Sequence, residues 1–252
     1  MIDSHCHLNH RQFRRDLEAV IARARAAGLQ GMVVVGYDLE SSRRAVELAQ
    51  AYRDIVAAVG IHPHDARHVT DDTLAELRAL AESPRVVAIG ETGLDFYRDL
   101  SPRDMQRHAF QAHLALAHEV GLPVIVHDRD AHDEVAAILA AADKVGGVMH
   151  CFSGGVGLAE RAVELGFYVG IAGTVTRPSA RVREVARAVP GDRLLIETDA
   201  PYLMPRGLPG SRNEPAYVAR VAEEVAALRG NTPEQVGRLA AENTRQLFAW
   251  PG

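Results

Sequence analysis

The stretch GMVVVGYDLESSRRAVELAQAYRDIVAAVGIH, residues 31–62, holds two apolar runs rich in β-branched residues, separated by a segment of Ala, Leu, Glu and Arg. Runs of this kind fit strands buried on both faces, and the segment between them has the 3.6-residue period of an amphipathic helix. The unit is strand, helix, strand. It recurs along the whole chain. Further strand candidates are IDSHCHL from Ile2, VVAIGE from Val86, PVIVHD from Pro123, GVMHCF from Gly147, FYVGIA from Phe167 and LLIETD from Leu194, which brings the count to eight. Helices are expected over 13–27, 42–52, 72–82, 102–120, 131–142, 158–165, 180–189 and 214–229. A last helix, 233–248, follows Asn231-Thr232 as N-cap, with proline in its first turn. Eight such strands, each followed by a helix, predict an α/β fold of the (β/α)8 TIM-like barrel type, a single domain over 1–252 with an extra C-terminal helix. A doubly wound open sheet is the alternative, but no glycine-rich phosphate fingerprint follows the first strand.

Length and composition agree with one large core: 252 residues, 47% of them hydrophobic. No apolar run is long enough to cross a bilayer and no charged-then-apolar leader precedes the first strand, so a cytoplasmic protein with no membrane association is expected. Cys6 and Cys151 are the only cysteines and are expected as reduced structural thiols. The formal net charge is −5, and Lys144 is the only lysine. That balance argues against a long electrostatic track for duplex DNA. No obligate protein partner is inferred.

In a barrel of this type chemistry sits at the C-terminal ends of the strands. The polar residues found there are selected: His5 and His7 on the first strand, His62 and His64 on the third, Glu91 and Asp95 on the fourth, His127 and Arg129 on the fifth, His150 on the sixth, Glu197 and Asp199 on the eighth. His5 and His7, two apart, share a strand face while Cys6 points away. Taken alone, two solvated histidines at a strand end would read the same way. Glu91 carries more information, because a carboxylate in an apolar strand must be paired, neutralised or bound to metal. Glu197, two residues from Asp199, is expected to support the ligands. His10, His68, His108, His113, His118 and His132 fall in loops or helices and are expected to serve surface or packing roles.

Imidazoles and carboxylates without an inward thiolate suit divalent zinc, manganese or magnesium. The set His5, His7, Glu91, His127, His150 and Asp199 is too large for one hydrolytic ion that keeps an open position, so two divalent ions sharing a carboxylate are expected. Lys144 follows a helix away from every strand end, which leaves Glu91 as the bridge.

These motifs, DSHCHL, GIHPH, IGETGLDFYR, LPVIVHDRDA, HCFSG, ETDAPYL and RNEPAYV, occur in an order that closely resembles the TatD-type metal-dependent deoxyribonucleases of the amidohydrolase superfamily. The resemblance covers essentially the whole chain. It implies a TIM-like barrel, a divalent-metal phosphodiesterase acting on DNA, often as a 3′→5′ exonuclease on single strands, and no organic cofactor. It also implies His5 and His7 on one metal, His127 and His150 on the other, Glu91 between them, and Asp199 near the first metal and its water. Family members commonly carry a basic HRGK-type run before RNEP, whereas this chain reads PYLMPRGLPGSRNEP, with Arg206 and Arg212 flanking an uncharged stretch.

The expected chemistry is attack by a metal-activated water on phosphorus, with Asp199 as base and Glu91 as bridge, releasing 5′-mononucleotides from single-stranded DNA or DNA ends. His62, His64, Arg129, Arg206 and Arg212 are the expected substrate contacts, and Phe96 and Tyr97 could stack a base. Hydrolysis of an ester, lactone or amide on the same barrel, aminoacyl-tRNA included, is an alternative that strand-end ligands do not separate. A non-catalytic metal- or nucleic-acid-binding protein is a third reading, and a missing ligand would have favoured it.

Overall fold

The computed structural model describes residues 1–178 and 180–251. Its strands are β1 (Ile2–Cys6), β2 (Gly31–Val35), β3 (Ile55–Val59), β4 (Val86–Asp95), β5 (Val124–Arg129), β6 (Gly147–Met149), β7 (Phe167–Ile171) and β8 (Leu194–Ile196), paired in chain order and parallel throughout. The helices are α1 (Leu17–Ala26), α2 (Leu39–Ala51), α3 (Asp71–Ala81), α4 (Arg103–Val120), α5 (His132–Ala141), α6 (Val156–Glu164), α7 (Val182–Ala188), α8 (Val218–Arg229) and α9 (Pro233–Leu247). This is the (β/α)8 TIM-like barrel. Among the described residues, no helix is long and apolar enough to cross a membrane.

Strand alternation sorts the apolar residues into two buried sets. Val33, Val35, Val56, Ala58, Ile125 and Leu195 belong to the set that fills the barrel. Met32, Val34, Ala57 and Val59 face the other way and pack with Val20, Ile21, Leu48 and Phe110 from the helices. Full burial of each Val, Leu or Phe side chain stabilises the fold by about 1.5–3 kcal/mol. The extra C-terminal segment has a definite use. Phe248 joins the barrel-filling set with Trp250 against it, and the Trp250 ring lies so close to Gly31 that a Cβ there would meet it at 2.6 Å. Gly31 begins β2, so this plug closes the end of the barrel opposite the strand termini.

At the other end, β1 meets the chain leaving β8. A parallel bridge joins Cys6 to Ala200, the His7 N–H donates to the Ala200 carbonyl at 2.7 Å, and the Asp199 N–H donates to the His5 carbonyl at 2.9 Å. Closure of the ring thus brings Asp199 to the two histidines of β1.

Element ends depart from the periodicity, and side-chain chemistry is the reason. The helix expected over 42–52 starts at Leu39, because Asp38 caps it: its carboxylate accepts from the Ser41 N–H at 2.6 Å, and the Ser41 hydroxyl accepts from the Asp38 N–H at 2.9 Å. The expected 13–27 helix is a 3-10 turn at Arg11–Phe13 followed by α1, and 214–229 is likewise split by a 3-10 turn at Pro215–Tyr217. Strands six and eight stop at Met149 and Ile196, so His150, Glu197 and Asp199 stand on the turns beyond.

Candidate metal centre

Glu91 stands at the centre, on a β4 that is longer than expected and runs through Asp95. Its ladder to β5 shifts register between Ile89 and Thr92. The two carboxylate oxygens face different partners. Oε2 lies 3.4 Å from His5 Nε2 and 3.6 Å from His7 Nε2. Oε1 lies 2.7 Å from His127 Nδ1, 3.0 Å from His150 Nε2 and 3.4 Å from His62 Nε2. Asp199 Oδ1 completes the first group, 3.3 Å from His7 Nε2 and 3.7 Å from His5 Nε2. Regular strand alternation would put Glu197 and Asp199, two apart, on one face. Because β8 ends at Ile196 and Asp199 adopts φ +57°, the two diverge: Asp199 reaches the rim, and Glu197 turns beneath His150.

The outward ring nitrogens of His7, His127 and His150 have fixed partners, which decides what the inward ones offer. His7 Nδ1–H donates to the Val35 carbonyl at 2.9 Å, which leaves Nε2 with a lone pair. His150 Nδ1 is 3.2 Å from Glu197 Oε1, and His127 Nε2 is 3.2 Å from Asp95 Oδ2. His62 is different. Its Nδ1 accepts from the His64 N–H at 3.1 Å, so in the neutral ring Nε2 carries the proton and is a donor, not a ligand. His64 Nε2 sits 2.8 Å from Asp95 Oδ2, so Asp95 holds His64 and His127 together.

Burial raises the carboxyl pKa of Glu91, but the charge of His150 and His62 and the hydrogen bonds from His127 and His150 outweigh it, and Glu91 is held well below its ordinary value. Asp199 is held down in the same way by His7, His150 and His5 against burial. Burial lowers His7, His127 and His150, yet the carboxylates facing them win and hold all three above the ordinary histidine value. His5, stacked on His150 at 3.8 Å between ring centroids, is lowered by burial and by that neighbour.

This donor set fits divalent cations. His5 Nε2 and His7 Nε2 approach to 3.2 Å with the carboxylates of Glu91 and Asp199 beside them, so a cation in this space would meet two imidazole nitrogens and two carboxylates. His5 Nδ1 is buried and without a hydrogen-bond partner among the described residues. The groups close enough to share an ion are His5 with His150 and Asp199, His5 with His7 and Glu91, and His62 with Glu91 and His127.

Comparison with known proteins settles the family. The model of the TatD-related DNase family matches residues 2–249. The chain belongs to the TatD-related DNase family. It is 45% identical to YabD of Bacillus subtilis, an uncharacterized metal-dependent hydrolase, over 98% of each chain. It is 44% identical to the 3′-5′ ssDNA/RNA exonuclease TatD of Enterobacter lignolyticus, again over 98% of each. Among solved structures, the TatD homologue YjjV of Escherichia coli superposes with a TM-score of 0.93 at 36% identity, covering 100% of this chain and 98% of that one. The protein is therefore a metal-dependent hydrolase on a TIM-like barrel.

The remaining expected contacts lie apart from one another in this TatD-family site. Arg129 is exposed, with its guanidinium 4.1 Å from the Tyr97 ring centroid. Arg206 is exposed, and its backbone N–H donates to Thr176 Oγ1 at 2.8 Å. Arg212 is committed to the protein: its guanidinium donates to Asp16 at 2.7 and 2.9 Å and to Glu214 at 2.9 Å, and lies over Phe13. Phe96 is covered by Arg103, 4.2 Å away. Sequence reading missed Tyr37 and Tyr202, whose ring centroids lie 5.5 and 6.1 Å from that of His7. The signal was present, since each tyrosine follows a strand end. Asp3, two residues before His5, carries a further structural role. It is fully buried, accepts from Thr198 N–H and Oγ1–H at 2.9 and 2.6 Å, and is raised to about 8 by burial despite those bonds. It ties β1 to the turn that carries Asp199.

Proposed function

We propose that this protein is a two-metal phosphodiesterase acting on single-stranded DNA ends, a 3′→5′ exonuclease releasing 5′-mononucleotides. The observation that carries the reading is the division of Glu91, one oxygen toward His5 and His7 and the other toward His127 and His150. In-line displacement at phosphorus calls for two charges flanking one site, and a carboxylate shared between two imidazole groups meets that demand. The nucleic-acid substrate is supported by the relatives, one of which is named as an exonuclease of single-stranded DNA and RNA.

His5, His7 and Asp199 would hold one ion, His127 and His150 the other, and Glu91 both. Bound divalent ions supply Lewis acidity toward a phosphoryl oxygen and acidify water near neutral pH. Asp199, ionised at the rim, takes the proton of the attacking water as the new O–P bond forms. His62 presents Nε2–H toward the same space and can donate to a phosphoryl oxygen or to the departing 3′-oxygen as the P–O3′ bond breaks. Asp95 and Glu197 fix the rings of His127 and His150. Arg129, propped on Tyr97, is a candidate for a neighbouring phosphate.

The test is turnover of a 5′-labelled single-stranded oligonucleotide beside phosphodiester, ester, lactone and amide substrates, with and without chelator. The expected result is a ladder shortened from the 3′ end, loss of activity in chelator and its return with a divalent ion. Asp199→Asn should keep the fold and lower kcat by about 10²-fold or more. Turnover confined to the carbonyl substrates would overturn the nuclease reading, and full activity after exhaustive chelation would overturn the metal mechanism.

A further inference from the structure

Beside the metal centre, on the side of β1 and β2, lies a cleft of about 560 Å³ lined in part by Asn9, His10, Arg11, Arg14, Tyr37 and Ser41. Its size falls in the usual range for small-ligand clefts, about 300–1,000 Å³. It is joined to the centre by rings. Tyr37 and Tyr202 flank His7, and His10 lies 6.3 Å from Tyr37 and 5.8 Å from Tyr202 between centroids. Tyr202 is 48% exposed, which is unusual for so large a side chain beside a buried site.

The charges of the cleft do not cancel evenly. Asp38 is used by the α2 cap, Arg44 is paired with Glu47 at 2.7 Å, and Arg43 is paired with Glu76. Arg14 has a single exposed contact to Glu40 at 3.4 Å, with both side chains more than 70% exposed, a pair worth little in water. Arg11 is exposed and has no ion-pair partner among the described residues.

We infer that this cleft is the subsite for the nucleotide adjoining the scissile phosphate: its base stacks between Tyr37 and Tyr202, and its outer phosphates pair with Arg11 and Arg14. The inference rests on the nuclease reading and deepens it. Aromatic rings accept any base, and guanidinium groups at the outer end track the backbone without reading sequence, which is the pattern of single-strand binding. A duplex end cannot supply an unstacked base to that gap, so the subsite selects single strands. It also replaces the contact expected from Arg212, whose donors are spent on Asp16 and Glu214.

The test uses full-length, metal-loaded Asp199→Asn protein, which is expected to bind without cleaving, and a short fluorescent oligothymidylate titrated across a salt series. Adding Arg11→Ala with Arg14→Ala should make the slope of log K against log[salt] shallower by about 1.4, at about 0.7 per phosphate. Tyr37→Ala should weaken binding by about five- to a hundredfold, the range for losing one base stack, and Tyr37→Phe should restore it. Arg238→Ala, an exposed arginine on α9 beside the Gly237 that packs on Met1, is the control for general charge and should change neither quantity. If the parent binds the strand and the arginine pair and Tyr37→Ala leave affinity and slope unaltered, the subsite is refuted while the nuclease reading stands. If the parent neither binds nor, with Asp199 intact, cleaves, both fall.

Discussion

Glu91 and His62 illustrate how two residues at one rim, both within reach of the same oxygen and nitrogen atoms, take different roles from their outer partners. Glu91 must present an anionic oxygen to each side. In Glu91→Gln one side faces an amide NH2, so bound metal should fall below the parent's content, measured by elemental analysis after dialysis. Unchanged stoichiometry would give Glu91 a structural role. His62 lends its Nδ1 to the His64 N–H, so its inner nitrogen is a donor. His62→Asn should therefore leave metal content intact while lowering turnover, and loss of an ion would make His62 a ligand. His113, set aside in the sequence as packing, is fully buried on α4, with Nε2 accepting from the Ile61 N–H at 3.0 Å and Nδ1–H donating to the Ala109 carbonyl at 2.7 Å. The bond accepted at Nε2 needs the neutral ring, and burial lowers its pKa from 6.5 to about 4. A depressed histidine pKa means that the unfolded chain takes up a proton below 6.5 which the folded chain refuses until about 4. Its contribution is thus complete above 6.5 and declines as pH falls toward 4, by about 2 kcal/mol between pH 7 and pH 5. His113→Gln should be less stable at pH 7, yet lose about 2 kcal/mol less on acidification than the parent, as read by denaturant titration at both pH values. Equal losses would show that His113 does not titrate between them.

β4 decides the site at the scale of elements. Thr92 pairs with Val126 and Gly93 with His127 after the register shift that turns Glu91 inward. Gly93 sits at φ +139°, and a Cβ there would lie 2.0 Å from the His127 carbonyl oxygen, so both backbone conformation and contact demand glycine. Gly93→Ala should push β4 off β5 at the residue that holds His127. We expect a drop in Tm together with weakened metal binding, and normal binding with normal Tm would show that the strands adapt without cost. This is also where the limits of sequence reading are clearest. Eight strands were legible because each is an apolar run whose period survives any local detail. Their ends were not, because Asp38, Ser41 and the bulge at β4 act through bonds that periodicity does not register. His5, His7, Glu91, His127, His150 and Asp199 could be collected as one rim because strand ends of a parallel barrel must face one way. Which oxygen faces which ring could not, since that depends on the turns after β6 and β8.

At the scale of the whole molecule, a chain of net charge −5 has little long-range pull on a polyanion. Most of its arginines visible in ion pairs are spent far apart in sequence: Arg23 on Glu214, Arg25 on Asp54, Arg78 on Glu119, Arg107 on Glu134 and Arg183 on Glu224. Such pairings join distant segments, which is why counting arginines near a motif overrated Arg212. Arg11, Arg14, Arg129 and Arg206 then stand as candidates for phosphates near the mouth. If two to four of them engage a single strand, log K should fall against log[salt] with a slope of about −1.5 to −3, at about 0.7 per phosphate. Affinity should stop rising once the strand reaches a few nucleotides, as expected of a cleft that takes only a chain end. That is the behaviour of an enzyme that reads a chain end, and an endonuclease following a groove would keep gaining contacts with length. The measurement is affinity against oligonucleotide length and salt with metal-loaded Asp199→Asn. A slope steeper than about −4, or affinity still climbing well beyond the few nucleotides that the cleft can take, would reveal a longer basic track and favour an endonuclease instead.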